Sequence, residues 1–270
     1  MSRTLARAVA GLAKGCTAFL KPKRRDLTRA LIAEAITPVI AANTPSGPLF
    51  FAGPSARSLH DPQGLARDEP ETVAWIDGLP SGEVLWDIGA NVGTYALYAA
   101  KTRGCRVLAF EPSAATYAAL TRNIELNGLG DRIDAYCLAF SDRTTLDHLF
   151  MANTAAGHSM HAFGGSQTVQ GEIKTVFKQA VPGFSIDRFA ELFDPPPPRH
   201  IKLDVDSIEE RILRGAENTL RRHVATLMVE IDGLTREAGG GGIRPYLTGL
   251  GFREEPFSGG AARRNVLFRK

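Results

Sequence analysis

The stretch from Val84 to Ala100, VLWDIGANVGTYALYAA, limits what this chain can fold into more than any other segment. An apolar run ends in an acid, Asp87; glycines follow at 89 and 93; a helical pattern opens at Thr94. Gly89 and Gly93 permit a tight turn with close backbone approach, and Asn91 is the non-glycine residue type that best tolerates left-handed geometry. The helix starting near Thr94 then aims unpaired N–H groups at whatever lies over the turn. In an open α/β sheet, ligands gather at the carboxyl ends of the strands near the switch in strand order, and this turn ends the first such strand.

The alternation that begins there continues. CRVLAFEP reads as a second strand, AATYAALTRNIELNG as a helix closed by Asn127-Gly128, and IDAYCLAF as a third strand. Residues 143–184 break the rhythm with scattered glycines and short β-like pieces, and read as a hairpin-like insertion on the substrate side. Regularity returns with SIDRFAELF as a helix and HIKLDVD as a fourth strand. SIEERILRGAENTLRRH then reads as one helix, carrying Ile208, Ile212, Ala216 and Leu220 every fourth residue. ATLMVEID is a fifth strand, IRPYLTGLG a short helix, and FREEPF and NVLFRK two closing strands, with antiparallel pairing open to them. Strand–helix alternation of this kind predicts a mostly parallel seven-stranded sheet with helices on both faces. Gly239–Gly242 reads as a flexible connection, since no phosphate-loop lysine follows it.

Length allows one large domain with an extension: 270 residues, placed as an extension over 1–49 and a catalytic-type domain over 50–270. Within the extension, LTRALIAEAITPVI reads as a helix from Leu27 to about Ile36, ended by Pro38. GPLFFAGP reads as a short strand, and DEPETVAWIDGL as a helix opened by Pro70. Cys16, Cys105 and Cys137 are an odd count without paired spacing, which argues for a reducing, cytoplasmic setting.

The net charge of +3 is uneven. Residues 1–25 hold seven cations and no acid, leaving 25 basic against 29 acidic side chains elsewhere, so no nucleic-acid surface is written into the body. The segment LARAVAGLAKGCTAFL is broken by Arg7 and Lys14, too short an apolar run for a span of roughly 20 residues and a poor secretory signal. Two readings stay open for it: a basic amphipathic helix in peripheral contact with an anionic membrane, or a docking helix that covers part of the protein.

The turn does not fit G-x-G-x-x-G, the dinucleotide fingerprint. It fits acid-x-G-x-(G/N)-x-G, the turn of S-adenosylmethionine-dependent methyltransferases. That cofactor has one carboxylate and no pyrophosphate, so backbone N–H groups suffice for its anionic end while Asp87 can balance its ammonium and sulfonium. Glu111, 18 residues past Gly93, closes the second strand where a carboxylate can accept both ribose hydroxyls.

On these residues the chain resembles the FkbM family of methyltransferases. The resemblance runs over DIGANVG at 87–93, FEP at 110–112, AFSD at 139–142, SIDRF at 185–189, IKLDVDSIEERILRGA at 201–216 and VEID at 229–232, with DEPET ahead of the first strand. It implies the Rossmann-like class I methyltransferase fold, with S-adenosyl-L-methionine as cofactor and S-adenosyl-L-homocysteine as product. The acceptor it implies is a hydroxyl of a sugar, glycan or small natural product. It places cofactor contacts at Asp87, Gly89, Ala90, Asn91, Gly93, Thr94 and Glu111, and extends them to Pro112, Phe140 and Ser141. Where the family has D-V-E-G-x-E, this chain has Asp204-Val205-Asp206-Ser207-Ile208-Glu209, an acid shorter by one methylene and a serine in place of a glycine.

Methyl transfer needs an acceptor held in line and, for a hydroxyl, a group that takes its proton. The fourth strand should lie beside the first, which puts Asp204, and next Asp206, near the reacting centre as base or acceptor-orienting group. Both could instead cap the following helix, as could Ser207 and Glu209. No third ligand accompanies the two aspartates, so no metal is expected. His158 and His161 lie in the insertion, where a lid would be, and either could serve as a base. DPPPPRH at 194–200 reads as a rigid spacer rather than a base-flipping signature, because its prolines precede the strand. Two alternatives remain: an oxidoreductase using a nicotinamide cofactor, and a methyltransferase-like protein that binds cofactor without turnover.

Overall fold

A computed structural model describes residues 2–168, 171–206, 208–231, 242–256 and 264–270. Its contacts separate two units, Met1–Val39 and Ile40–Lys270. The first unit holds helices α1 (Ser2–Cys16) and α2 (Pro22–Ile36). The second helix starts five residues before the expected Leu27, because Pro22 has the fixed φ suited to a first helical position and no N–H to orphan.

β1 (Val39–Ala42) and β2 (Leu49–Ala52) form a two-stranded sheet, of which only the second strand was legible in advance. Helices α3 (His60–Gly64) and α4 (Pro70–Asp77) follow. The alternating core then runs β3 (Val84–Ile88), α5 (Thr94–Arg103), β4 (Arg106–Phe110), α6 (Ala114–Leu126) and β5 (Ile133–Tyr136). After it come β6 (Ala139–Phe140), β7 (Thr145–Met151), β8 (His161–Phe163), β9 (Gln167–Thr168), β10 (Gly171–Glu172) and β11 (Phe177–Phe184). The chain closes with α7 (Ile186–Phe193), β12 (His200–Leu203), α8 (Glu209–Arg214), α9 (Glu217–Arg222), β13 (Thr226–Glu230), a helix Ile243–Gly249, β14 (Arg253–Glu255) and β15 (Asn265–Arg269).

The main sheet has seven strands in the order β14-β15-β13-β12-β3-β4-β5. The five from β13 to β5 are parallel; β15 runs antiparallel to β13, and β14, antiparallel in turn to β15, runs in the direction of the five again. The chain winds outward from β3 through β4 to β5, then returns to lay β12 on the other side of β3, so the carboxyl end of β3 is the switch point. Side-chain alternation splits the core into two halves. Leu85, Val107 and Ala109 pack under α5 and α6, while Trp86, Ile88, Leu108 and Phe110 pack under α7, α8 and α9. The sheet is thus covered on both faces, which is why α5 is buried from Thr94 to Ala100 and its strands read as continuous apolar runs.

Three elements differ from the expectation. The third strand is two: β5 stays in the main sheet, while β6 pairs parallel to β11. The insertion is more than a hairpin, since β6, β11, β7 and β8 make a second, four-stranded sheet, with β9 and β10 as a separate ribbon. The helix expected over 207–223 is broken into α8 and α9. A Cβ at Gly215 would lie 2.5 Å from the Ser141 carbonyl oxygen, and the Asp187 carboxylate accepts the N–H groups of Asn218 and Thr219, which starts a new helix there. The expected Ser207 cap, Asp232 and Gly239–Gly241 lie outside the described residues.

Candidate active site

The turn after β3 is built as its residue types demand. Gly89, Asn91 and Gly93 all take left-handed φ, 85°, 50° and 88°. At Gly89 any side chain is barred twice, since a Cβ would stand 1.8 Å from the carbonyl oxygen of Asp204. That near-contact brings the end of β12 against the turn. Glu111 locks the turn from the other side: its carboxylate accepts N–H from Asn91 at 3.0 Å and from Ser113 at 2.8 Å. The insertion ties down the same corner, with Gln179 donating to the Pro112 carbonyl and accepting the N–H of Ala114.

These elements enclose a cleft of about 220 Å³. Of the residues singled out in sequence, Asp87, Gly89, Ala90, Asn91, Thr94, Glu111, Pro112, Phe140, His158, Asp204 and Asp206 line it. Gly93 and Ser141 do not. Gly93 is packed toward Leu97 and Leu120, and the Ser141 hydroxyl is spent on Arg211 and Asp142. His161 also lines the cleft. Among the described residues no group of three or more His, Cys, Asp or Glu side chains is placed to hold a metal ion.

The cleft is rich in buried charge. Lys202 donates to Asp204 at 2.7 Å and lies over the Tyr95 ring. Burial opposes charge on Lys202, yet Asp204, Glu69 and Asp87 around it hold its ammonium above the ordinary range. Burial likewise opposes ionisation of Asp204, but Lys202 holds that carboxyl below its usual value. The neighbouring acids go the other way. Burial lifts Asp87 to about 6, Glu111 to about 7 and Asp206 to about 6, the last aided by Asp204. Burial and then Asp204 also push Glu230 up. His161 is pushed down to about 4 by burial and is neutral at physiological pH.

Several of these groups lack what buried polar atoms normally have. Both carboxylate oxygens of Asp87, only 1% exposed, have no hydrogen-bond partner among the described residues. The same holds for Asn91 Oδ1, Thr94 Oγ1 and both ring nitrogens of His161, all of which belong to residues lining the cleft. Glu111 uses one acceptor site on each oxygen and retains others.

Residues 87–254 match the Methyltransferase FkbM domain. The chain belongs to the FkbM methyltransferase family. The methyltransferase sdnD of Sordaria araneosa is 28% identical over 202 residues, covering 65% of this chain and 74% of that one. The hexuronic acid methyltransferase AglP of Haloferax volcanii is 33% identical over 152 residues, which span 55% of this chain and 56% of AglP. A solved FkbM methyltransferase from Methylobacillus flagellatus aligns with a TM-score of 0.49 at 16% identity, covering 71% of this chain and 44% of that one. Membership of this family sets aside the nicotinamide-dependent alternative.

In this FkbM-family chain the sequence motifs contain more site residues than they reveal. Lys202 stands inside the IKLDVD motif, and Glu69 inside DEPET, but nothing in either motif shows that both would face Asp204. Glu230 ends the fifth strand and reaches the cleft only because β13 is laid beside β12. Tyr95 and Asp61 also line the cleft, and no signal in the sequence marked them.

Proposed function

We propose that this chain binds S-adenosylmethionine in the cleft at the carboxyl ends of β3, β4 and β12 and methylates a hydroxyl of a sugar or small natural product. The observation that carries the reading is the set of orphaned buried atoms over the glycine turn. They answer the cofactor's chemistry group by group. Asp87, a buried carboxylate with no partner, suits a cationic end; Asn91 and Thr94 offer an acceptor and a hydroxyl to an amino-acid tail; Glu111 keeps free acceptor sites for a diol. Gly89 and Ala90 present backbone rather than bulk at the floor.

When bound, the cofactor supplies an electrophilic methyl group on a sulfonium, so the protein has to orient an acceptor, exclude water and receive one proton. Asp206 is the group best suited to that last task. Its carboxyl is half-buried and lifted by desolvation to about 6, close to the working pH that makes a general base efficient. Asp204, tied to Lys202 and held below its usual range, is a poor base; it fixes the ammonium and shapes the strand end. His158 and His161 face the cleft from the insertion, where the neutral imidazole of His161 can orient a hydroxyl.

AglP is a hexuronic acid methyltransferase and supports a sugar-like acceptor. Seven acidic side chains line the cleft against three basic ones among the described residues, and several of the acids are already pushed toward their neutral form there, which favours an uncharged hydroxylated acceptor over a uronate. Isothermal titration with S-adenosylhomocysteine tests the cofactor assignment: binding is expected to the intact chain and lost in Glu111→Ala. Transfer of labelled methyl to neutral glycosides then separates a working enzyme from one that only binds cofactor. Absence of any heat in the intact chain would sink the proposal.

A further inference from the structure

The first unit has a feature that its own helices leave unresolved. In α1, Leu5, Val9, Leu12 and Cys16 recur at spacings of four, three and four, so they share one face; Arg3, Arg7 and Lys14 share the opposite one. Within the hairpin neither face is covered by the other helix. Leu5 is 66% exposed, Leu12 68%, and Phe19, in the turn between the helices, 82%. No residue of α2 is buried, and Leu27, Leu31 and Ile36 are also exposed. Arg29 reaches back to the Lys14 carbonyl at 3.1 Å and the Thr17 hydroxyl at 2.9 Å, which holds the two helices as a hairpin.

Helices of 15 residues are marginal in water unless an apolar face is buried, and this hairpin has almost nothing buried. An external apolar phase is therefore missing from the account. The charges say which one. Seven cations and no acid lie in residues 1–25, with Lys21, Lys23, Arg24 and Arg25 gathered beside Phe19. A nucleic acid would meet the cations but leave Leu5, Val9 and Leu12 in water. A lipid surface with anionic headgroups satisfies both faces at once, with the apolar side in the acyl boundary and the basic side among the phosphates.

We propose that α1, with the basic first turn of α2 that follows it, docks this protein on an anionic lipid bilayer as an interfacial helix. The helix lies in the surface and does not span it: among the described residues no helix is long and apolar enough to cross a membrane. The assignment is independent of the methyl-transfer reading and stands or falls separately.

Co-sedimentation of the full chain with phosphatidylcholine vesicles containing about one-third phosphatidylserine tests it. Binding is expected at low salt, and is expected to weaken at least about tenfold when phosphatidylserine is omitted or salt is raised several-fold. The double variant Leu5→Glu, Leu12→Glu and the triple variant Arg3→Ala, Arg7→Ala, Lys14→Ala should each lose binding by a similar factor. All of their substitutions fall in α1, so the thermal midpoint of the chain should stay where it is. Helical circular dichroism should rise when vesicles are added to the intact chain. Full retention in the supernatant, equal binding to pure phosphatidylcholine, or binding by the variants equal to that of the intact chain would each overturn the proposal. So would light scattering that shows a dimer abolished by the double variant, because the apolar face would then belong to a second copy.

Discussion

The carboxylate of Asp206 accepts the backbone N–H of Met160, and both residues hold left-handed backbone, with φ of 61° and 63°. Non-glycine residues in that region cost of order 1–3 kcal/mol each, and such strain persists where surrounding structure imposes it. Here it joins the end of β12 to the segment of the insertion that carries His158 and His161. Asp206 is thus the point at which the end of β12 and the insertion are clasped together.

Asp206→Asn separates the clasp from the chemistry. Asparagine tolerates the same φ and still accepts the Met160 N–H, but it cannot take a proton. The thermal midpoint should move by only a few degrees while methyl transfer falls by about 10²- to 10⁴-fold. Unchanged turnover would remove Asp206 as the base.

Asp87→Asn should act with opposite signs on stability and binding. A buried carboxylate without hydrogen-bond partners, its pKa lifted by burial despite the nearby Lys202, is costly, so the ligand-free chain should be no less stable, as read by urea unfolding. Affinity for S-adenosylhomocysteine should nevertheless fall at least about tenfold, because the charge that answers its ammonium is gone. Tighter binding in the variant would contradict the assignment.

The pH dependence follows from the raised carboxyls. Asp87 and Asp206, ordinarily near 3.8, sit near 6 in the fold, and Glu111, ordinarily near 4.5, sits near 7. Between pH 4 and 7 the folded chain therefore holds more protons at these sites than the unfolded chain. Their stabilising contribution is complete below the unfolded values and is lost as pH rises through the folded ones. The lowered His161 and His200 work in the other direction, but Glu69 and Glu230 add to the carboxyl side. Thermal scans of the ligand-free protein should give a higher midpoint at pH 5 than at pH 7.5.

Gly89→Ala tests the floor of the cleft. The new methyl would meet the Asp204 carbonyl at 1.8 Å on a backbone with φ of 85°. A loss of at least about 2 kcal/mol in unfolding free energy is expected, together with loss of cofactor binding. A fully stable variant would mean that the turn can relax away from β12.

A control lies at the opposite ends of the strands. Thr226 Oγ1 is shared by Trp75 Nε1 at 3.0 Å and His200 Nδ1 at 2.7 Å, and His200 Nε2 meets Glu83 at 2.6 Å. Thr226→Val leaves two buried polar groups unpaired and should cost about 1–3 kcal/mol, with S-adenosylhomocysteine affinity unchanged. A large loss of affinity there would show that binding assays report stability alone.

The local order of strand, glycine turn, helix and acid was written in the sequence, because each step depends on residues a few places apart. The apolar run, Gly89 and Gly93 at left-handed positions, and Glu111 at the next strand end all follow from backbone conformation and the two-residue period of a strand. Strand and helix ends were less legible where a distant partner decided them. The periodic helix breaks after Gly215 where the distant Asp187 carboxylate takes the next helix's N–H groups, and Ala139–Phe140 leaves the main sheet where β11 is there to pair with it. The electrostatics of the site belonged wholly to tertiary structure. Lys202, Asp204, Glu69, Glu230 and Asp87 come from four separate segments, and which acid is ionised and which stays protonated depends on burial and distance, quantities that no spacing along the chain contains.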